Sequence, residues 1–231
     1  MSEDDTATTT ATAAPTAGTA RTPSTAAGTA GAATTDRRLL RGERARRTIA
    51  RHAVDVASLE GLNGLSIGRL ATDLGLSKSG VATLFGTKEK LQLAAVAAAG
   101  EAFLDEVVRP ASEAPRGAAR LRALTERWLR YAETPLFTGG CFWAANRPDF
   151  DSRPGPVHDA LFQQQGDWVA LLAAELRHAV TDGQIPSLDA DLTAFQIDAV
   201  FTATNTALRL GDGEAGARAR RVVDGFLTST P

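Results

Sequence analysis

The chain has 231 residues, 43% of them hydrophobic, enough for one large or two modest domains with a true core. Its single cysteine, Cys141, excludes an intrachain disulfide and any cysteine-cluster metal site. The net charge of −2 conceals a basic block: residues 37–91 hold eleven basic and five acidic side chains, net +6, between flanks of −3 (residues 1–36) and −5 (residues 92–231). Such a block fits either a local surface that faces a polyanion or a solvated arginine face, and it excludes a generally basic protein.

Residues 1–36 are rich in Thr and Ala and carry no large apolar side chain beyond Met1. They cannot bury enough surface to offset chain entropy, so a disordered tail is expected there. The tail lacks the positive start and apolar stretch of a secretory signal, and no apolar run is long enough to cross a bilayer. A cytoplasmic protein without a membrane partner is the expectation.

From Arg37 onward apolar residues recur at helical spacing, and no period-two strand pattern is present. A first helix is predicted over about 37–60, with Leu40, Ile49, Ala53, Val56 and Leu59 on one face and Arg41, Arg44, Arg47 and Arg51 on the other, stopping at Gly61. Ser66 then fits the N-cap of a short helix holding Ile67, Leu70, Ala71 and Leu74, ended by a left-handed turn at Gly75. Ser77 caps a second short helix, with Val81, Leu84 and Phe85 facing inward and Gly86 as its stop. Thr87 caps a long helix from Lys88 to about Val108, which Pro110 is expected to close. Later helices are predicted at about 115–133, 157–181, 188–210 and 213–228, with one short helix near 138–146 in an otherwise irregular stretch. The fold class is therefore all-α, about nine helices. An N-terminal three-helix helix-turn-helix domain (37–86) precedes a C-terminal helical bundle (87–231), whose first helix (87–108) connects the two.

Two capped short helices joined by a glycine turn make a helix-turn-helix, in which the first braces on the DNA backbone and the second enters the major groove. Ser77, Lys78, Ser79 and Thr83 at the front of that second helix can bond phosphates or base edges, and Gly80 permits close approach. Ser66 can offer its hydroxyl to a phosphate, Lys88 can place a point charge on the same backbone, and Arg44 and Arg47 can add to it.

The stretch "GLNGLSIGRLATDLGLSKSGVATLFGTKEKLQLAAV" resembles the DNA-binding domain of the TetR family of transcriptional regulators. Gly64, Ser66, Ile67, Leu70, Ala71, Gly75, Leu76, Ser77, Phe85, Lys88, Glu89 and Leu91 match that family's pattern, and the match spans about residues 43–97. Two positions depart from it, since Ala82 stands where the family commonly has Tyr or Phe and Leu84 where it has His. The resemblance implies that this chain lacks two of the family's usual phosphate contacts, and a helical module with weakened or lost DNA recognition is the alternative reading.

In the C-terminal half, Trp128, Tyr131, Phe137, Phe142, Trp143, Phe162 and Trp168 could line a pocket for an apolar or aromatic ligand, although core filling explains aromatics equally well. Cys141 reads as a small buried hydrophobe. Phe195, Ala199, Thr202, Thr206 and Leu210 recur about once per turn on one face, and the resemblance implies that this face packs against a second copy. The expected partners are thus a double-stranded DNA operator, a small-molecule effector and a second subunit. The chain contains no metal-binding histidine pair, nucleophile elbow, phosphate-binding loop or dinucleotide fingerprint, so neither enzyme activity nor a metal or cofactor is expected.

Overall fold

Apolar residues at helical spacing, punctuated by glycine, fold into helices and nothing else: a computed structural model describes residues 27–228, and every regular element among them is helical. The chain separates into two units, residues 1–40 and 41–231, and the packing described below belongs to the second. Helix α1 (Ala27–Glu60) is followed by a 3₁₀ turn (Leu62–Gly64), α2 (Ile67–Asp73) and α3 (Lys78–Phe85). Helix α4 (Lys88–Phe103) runs on through a π turn (Leu104–Val108) into Arg109–Ala111. Then come α5 (Ala118–Glu133), α6 (Phe142–Phe150), α7 (Pro156–Thr181), α8 (Ala190–Arg209) and α9 (Ala215–Thr228), giving nine helices among the described residues.

Three boundaries differ from expectation. Of the tail predicted over residues 1–36, residues 1–26 lie outside the described residues, whereas Ala27–Asp36 are helical. Extending an already nucleated helix avoids the cost of a new nucleus, so α1 continues through Ala27–Asp36 although only four of these ten residues are Ala. Pro110 does not close the long helix. The Arg109 N–H bonds the Leu104 carbonyl, five residues back, and this wider turn carries the chain past a residue without an N–H to Ala111. The short helix begins at Phe142, after Gly139 and Gly140, and runs through Pro148 to Phe150.

One hydrophobic core runs from Ile49 to Leu227. Helix α7 packs on α4, α5, α6 and α8, and α9 closes the bundle against α5 and α8. Fully buried residues such as Leu91, Leu121, Leu129, Leu161, Leu172 and Phe201 anchor it, each stabilising the fold by about 1.5–3 kcal/mol of apolar transfer. Leu70, Ala71, Val81 and Phe85 extend the same core beneath α2 and α3, so the two short helices ride on the bundle.

Candidate DNA-reading surface and effector cavity

Serine and threonine caps set the direction of each short helix. The Ser66 hydroxyl accepts the Arg69 N–H at 3.1 Å, the Ser77 hydroxyl accepts the Gly80 N–H at 3.1 Å, and the Thr87 hydroxyl accepts the Lys90 N–H at 3.1 Å. Gly75 (φ 63°) and Gly86 (φ 73°) make the left-handed turns that end α2 and α3. With Val81 and Phe85 buried, α3 turns Ser77, Lys78, Ser79, Gly80 and Thr83 to the surface. A capping hydroxyl still has its own O–H to donate, so Ser66 and Ser77 can bond an oxygen ligand while capped. The Thr83 hydroxyl donates to the Ser79 carbonyl at 2.9 Å, and the Lys88 ammonium donates to the Asn63 carbonyl at 2.5 Å with two N–H groups to spare. Arg44 and Arg47 are exposed on α1.

Gly80 has a local role that sequence reasoning missed. A Cβ there would stand 2.8 Å from the Ser77 hydroxyl oxygen, so glycine at this position keeps the cap intact. Arg46 was missed as well: its guanidinium lies 4.7 Å from the centre of the Phe85 ring and bonds the Leu84 carbonyl at 2.5 Å, bracing α1 on α3. Ala82 and Leu84, which stand where the resemblance expects aromatic and imidazole groups, are partly buried, and Leu84 packs on the core. Behind this surface His52 bonds Asp73 at 3.0 Å, and Arg69 pairs with both Glu60 and Asp73. The His52 hydrogen bond, helped by Arg69, holds the Asp73 carboxyl below its usual range.

The bundle grips α1 and the turn ahead of α2 through α6 and the loop before it. Asn146 is fully buried; its carbonyl accepts the Leu62 N–H at 2.6 Å while its amide donates to the carbonyls of Ala57 (3.2 Å) and Phe142 (2.7 Å). Gln92 of α4 donates to the Leu62 carbonyl at 2.9 Å, so both polar groups of this turn residue are held by the bundle. Asn63 donates to Asp149 at 3.0 Å, and the Thr138 N–H and hydroxyl both bond Asp55. The Gly139 N–H donates to the Ser58 hydroxyl at 2.8 Å, and a Cβ on Gly139 would fall 1.9 Å from the Ser58 carbonyl oxygen. Gly139 is thus a contact surface for α1, while Gly140 faces Asn205 and Arg209 of α8.

On its other side α6 meets the aromatic residues. Trp128, Tyr131, Phe137, Phe142, Trp143 and Trp168 are buried together, whereas Phe162 is 39% exposed and stacks on His158 at 4.6 Å. Two phenylalanines outside the expected set complete the cluster. Phe103 sits edge-on to Tyr131, Trp143 and Trp168 at 5.2–5.5 Å, and Phe201 stacks on Trp128 at 4.2 Å. An inner cavity of about 50 Å³ lies between Trp128, Phe201 and α6, and an outer one of about 440 Å³ opens between α4 and α7. Phe103, Trp143, Gln164 and Trp168 belong to both walls. Cys141 lines the inner cavity, where burial pushes its thiol pKa up. Asp198 lines it too, its carboxyl raised chiefly by burial against the opposing influence of Gln165 and Arg147.

Phe195, Ala199, Thr202, Thr206 and Leu210 all lie exposed on α8. Thr202 also borders the inner cavity, where Arg147 reaches its hydroxyl at 3.4 Å. Among the described residues no group of acidic, histidine or cysteine side chains has the arrangement of a metal site, and no helix is long and apolar enough to cross a membrane.

Residues 117–223 match the family model of the tetracyclin repressor-like C-terminal domain. Over these residues the chain is similar to the C-terminal domain of the TetR family. Its helix-turn-helix head and all-α bundle are the TetR fold, as the sequence resemblance implied. A TetR transcriptional regulator from Chloroflexus aurantiacus J-10-FL is similar to it with a TM-score of 0.73 at 22% identity, over 79% of this chain and 93% of that one. A protein from Saccharomonospora viridis in complex with choline has a TM-score of 0.69 at 21% identity, over 80% and 95% of the two chains. AibR in complex with isovaleryl coenzyme A and operator DNA has a TM-score of 0.62 at 18% identity, over 79% and 97%. No curated protein matches the chain in sequence.

Proposed function

We propose that this protein is a homodimeric repressor of the TetR family that binds an operator through the front of α3 and leaves it when a small apolar or aromatic ligand enters the bundle. The observation that carries the reading is the orientation of α3. Its two large apolar residues are buried and its capped, polar leading edge is exposed, as are Arg44, Arg47 and Lys88. That edge has the groups that meet phosphates and base edges, on an element narrow enough for a major groove. The division of labour follows residues 37–86 for DNA and 87–231 for ligand and partner, in the cytoplasm.

A dimer supplies two reading helices for successive grooves, and the exposed face of Phe195, Ala199, Thr206 and Leu210 is apolar enough to join two copies. A ligand releases DNA only by favouring a dimer geometry in which the helices no longer suit those grooves. Two paths lead from the cavity to the head. Trp143, Ala144 and Arg147 line the cavity from the same helix whose Asn146 and Asp149 hold residues 62 and 63, and α4 runs from Lys88 to the shared wall at Phe103. Fold neighbours in complex with choline, or with isovaleryl coenzyme A and operator DNA, support a small-molecule effector.

Mobility-shift titration of the full-length protein on its own upstream region tests the reading. Retention of a specific fragment that a cavity ligand abolishes is the expected result. Retention that no ligand changes would remove the repressor-release mechanism. Absence of any specific fragment from a genomic pool would favour a ligand-binding module without DNA recognition, the reading that Ala82 and Leu84 motivate.

A further inference from the structure

The outer cavity is apolar along Leu104, Val108 and Leu171 and aromatic along Phe103, Trp143 and Trp168, yet two carboxylates, Glu101 and Asp167, belong to its lining. No Lys, Arg or His lines it. Behind the shared wall the inner cavity adds Asp198 and the single cation of either lining, Arg147, which makes no ion pair among the described residues and instead reaches the Thr202 hydroxyl. Three carboxylates against one guanidinium leave the two linings with a net charge of −2.

We propose that the effector is a cation, an amine or quaternary ammonium on an aromatic or extended apolar body, held by the Trp143 and Trp168 rings and the carboxylates Glu101, Asp167 and Asp198. This rests on the reading of the bundle as the effector domain and narrows its ligand class. Ring faces attract cations through their quadrupole, tryptophan most strongly. Glu101 and Asp167 are exposed at the mouth of the outer cavity, Asp167 accepting from Gln163 at 2.8 Å, so a neutral ligand there covers part of their water without a compensating charge and an anion meets net repulsion. A cation compensates the charge that its own entry desolvates. The raised pKa of Asp198 shows that Gln165 and Arg147 do not fully offset the burial of its carboxyl.

Isothermal titration calorimetry of the full-length protein decides the matter, with phenylbutyltrimethylammonium, its neutral isostere bearing carbon in place of nitrogen, and a phenylalkyl carboxylate of matching length. The cation is expected to bind at least about tenfold more tightly than either other probe. Asp198→Asn and Glu101→Gln, singly and together, should erase that preference and leave the neutral isostere's affinity unchanged. Equal or tighter binding of the neutral or anionic probe overturns the inference, as does a failure of the cation to bind, or an equal loss of every probe in the carboxamide variants. DNA retention measured in parallel separates the two readings. A neutral probe that binds and releases the upstream fragment leaves the effector domain standing and removes the cation. A cation that binds with the expected preference but never alters DNA retention leaves the cation site and removes the release mechanism.

Discussion

Lys78 and Lys88 carry the same charge a short distance apart and are expected to do different work. Lys88 begins α4 with its ammonium already donating to the Asn63 carbonyl, which fixes it at the surface as a point charge suited to a phosphate. Lys78 and Ser79 sit at the exposed front of α3, where base edges would lie. Lys88→Ala should therefore weaken binding to every duplex alike and lower the salt slope by about one, whereas Lys78→Ala or Ser79→Ala should change base preference by about 1–3 kcal/mol at one position. Affinities measured on operator and random DNA across a salt series check both, and equal losses on both duplexes for both variants would contradict the division. At this scale the caps were legible because Ser or Thr before an apolar-periodic run, and Gly after it, act through local backbone geometry alone. Arg46 was not legible. Nothing in the run Arg41, Arg44, Arg46, Arg47 and Arg51 distinguishes it until Phe85 folds beneath it.

Helix α6 is the element with two occupations, since its residues border the inner cavity on one side and hold the turn ahead of α2 on the other. Asn146→Ala would strand the Leu62 N–H in a buried setting, at a cost of about 1–3 kcal/mol. Chemical denaturation should register that loss. Ligand affinity should change little in the same variant, while the ligand's effect on DNA retention falls. Unchanged coupling between ligand and DNA would argue that α4 alone transmits the signal. This element was the least readable in the sequence. The double glycine reads as a loose loop, and only the close approach of Gly139 to the Ser58 carbonyl and of Gly140 to Arg209 shows it to be a tight joint, while Pro148 is carried inside α6. The π turn in α4 escaped notice for a related reason, because one wide turn admits Pro110 without leaving any local signature.

Across the molecule, helix order and the all-α class followed from periodicity and punctuation, which are properties of the chain itself. The two faces of α8 needed the fold. Ile197, Phe201, Thr204 and Asn205 point inward, while Phe195, 65% exposed, and Leu210, 83% exposed, point away from the bundle, yet both sets recur with helical spacing. The missed pocket residues Phe103 and Phe201 lay on helices read as a connector and as a partner face, so their spacing alone did not assign them to the cavity. If the outward face joins two copies, Phe195→Asp combined with Leu210→Asp should yield a monomer in sedimentation. That monomer should keep its fold and its ligand affinity and lose most of its operator affinity; an unaltered dimer would place the interface elsewhere. The chain has three tryptophans, and all three, Trp128, Trp143 and Trp168, border the inner cavity. Their intrinsic emission is therefore a label-free gauge of occupancy, with no indole elsewhere in the protein to dilute the signal.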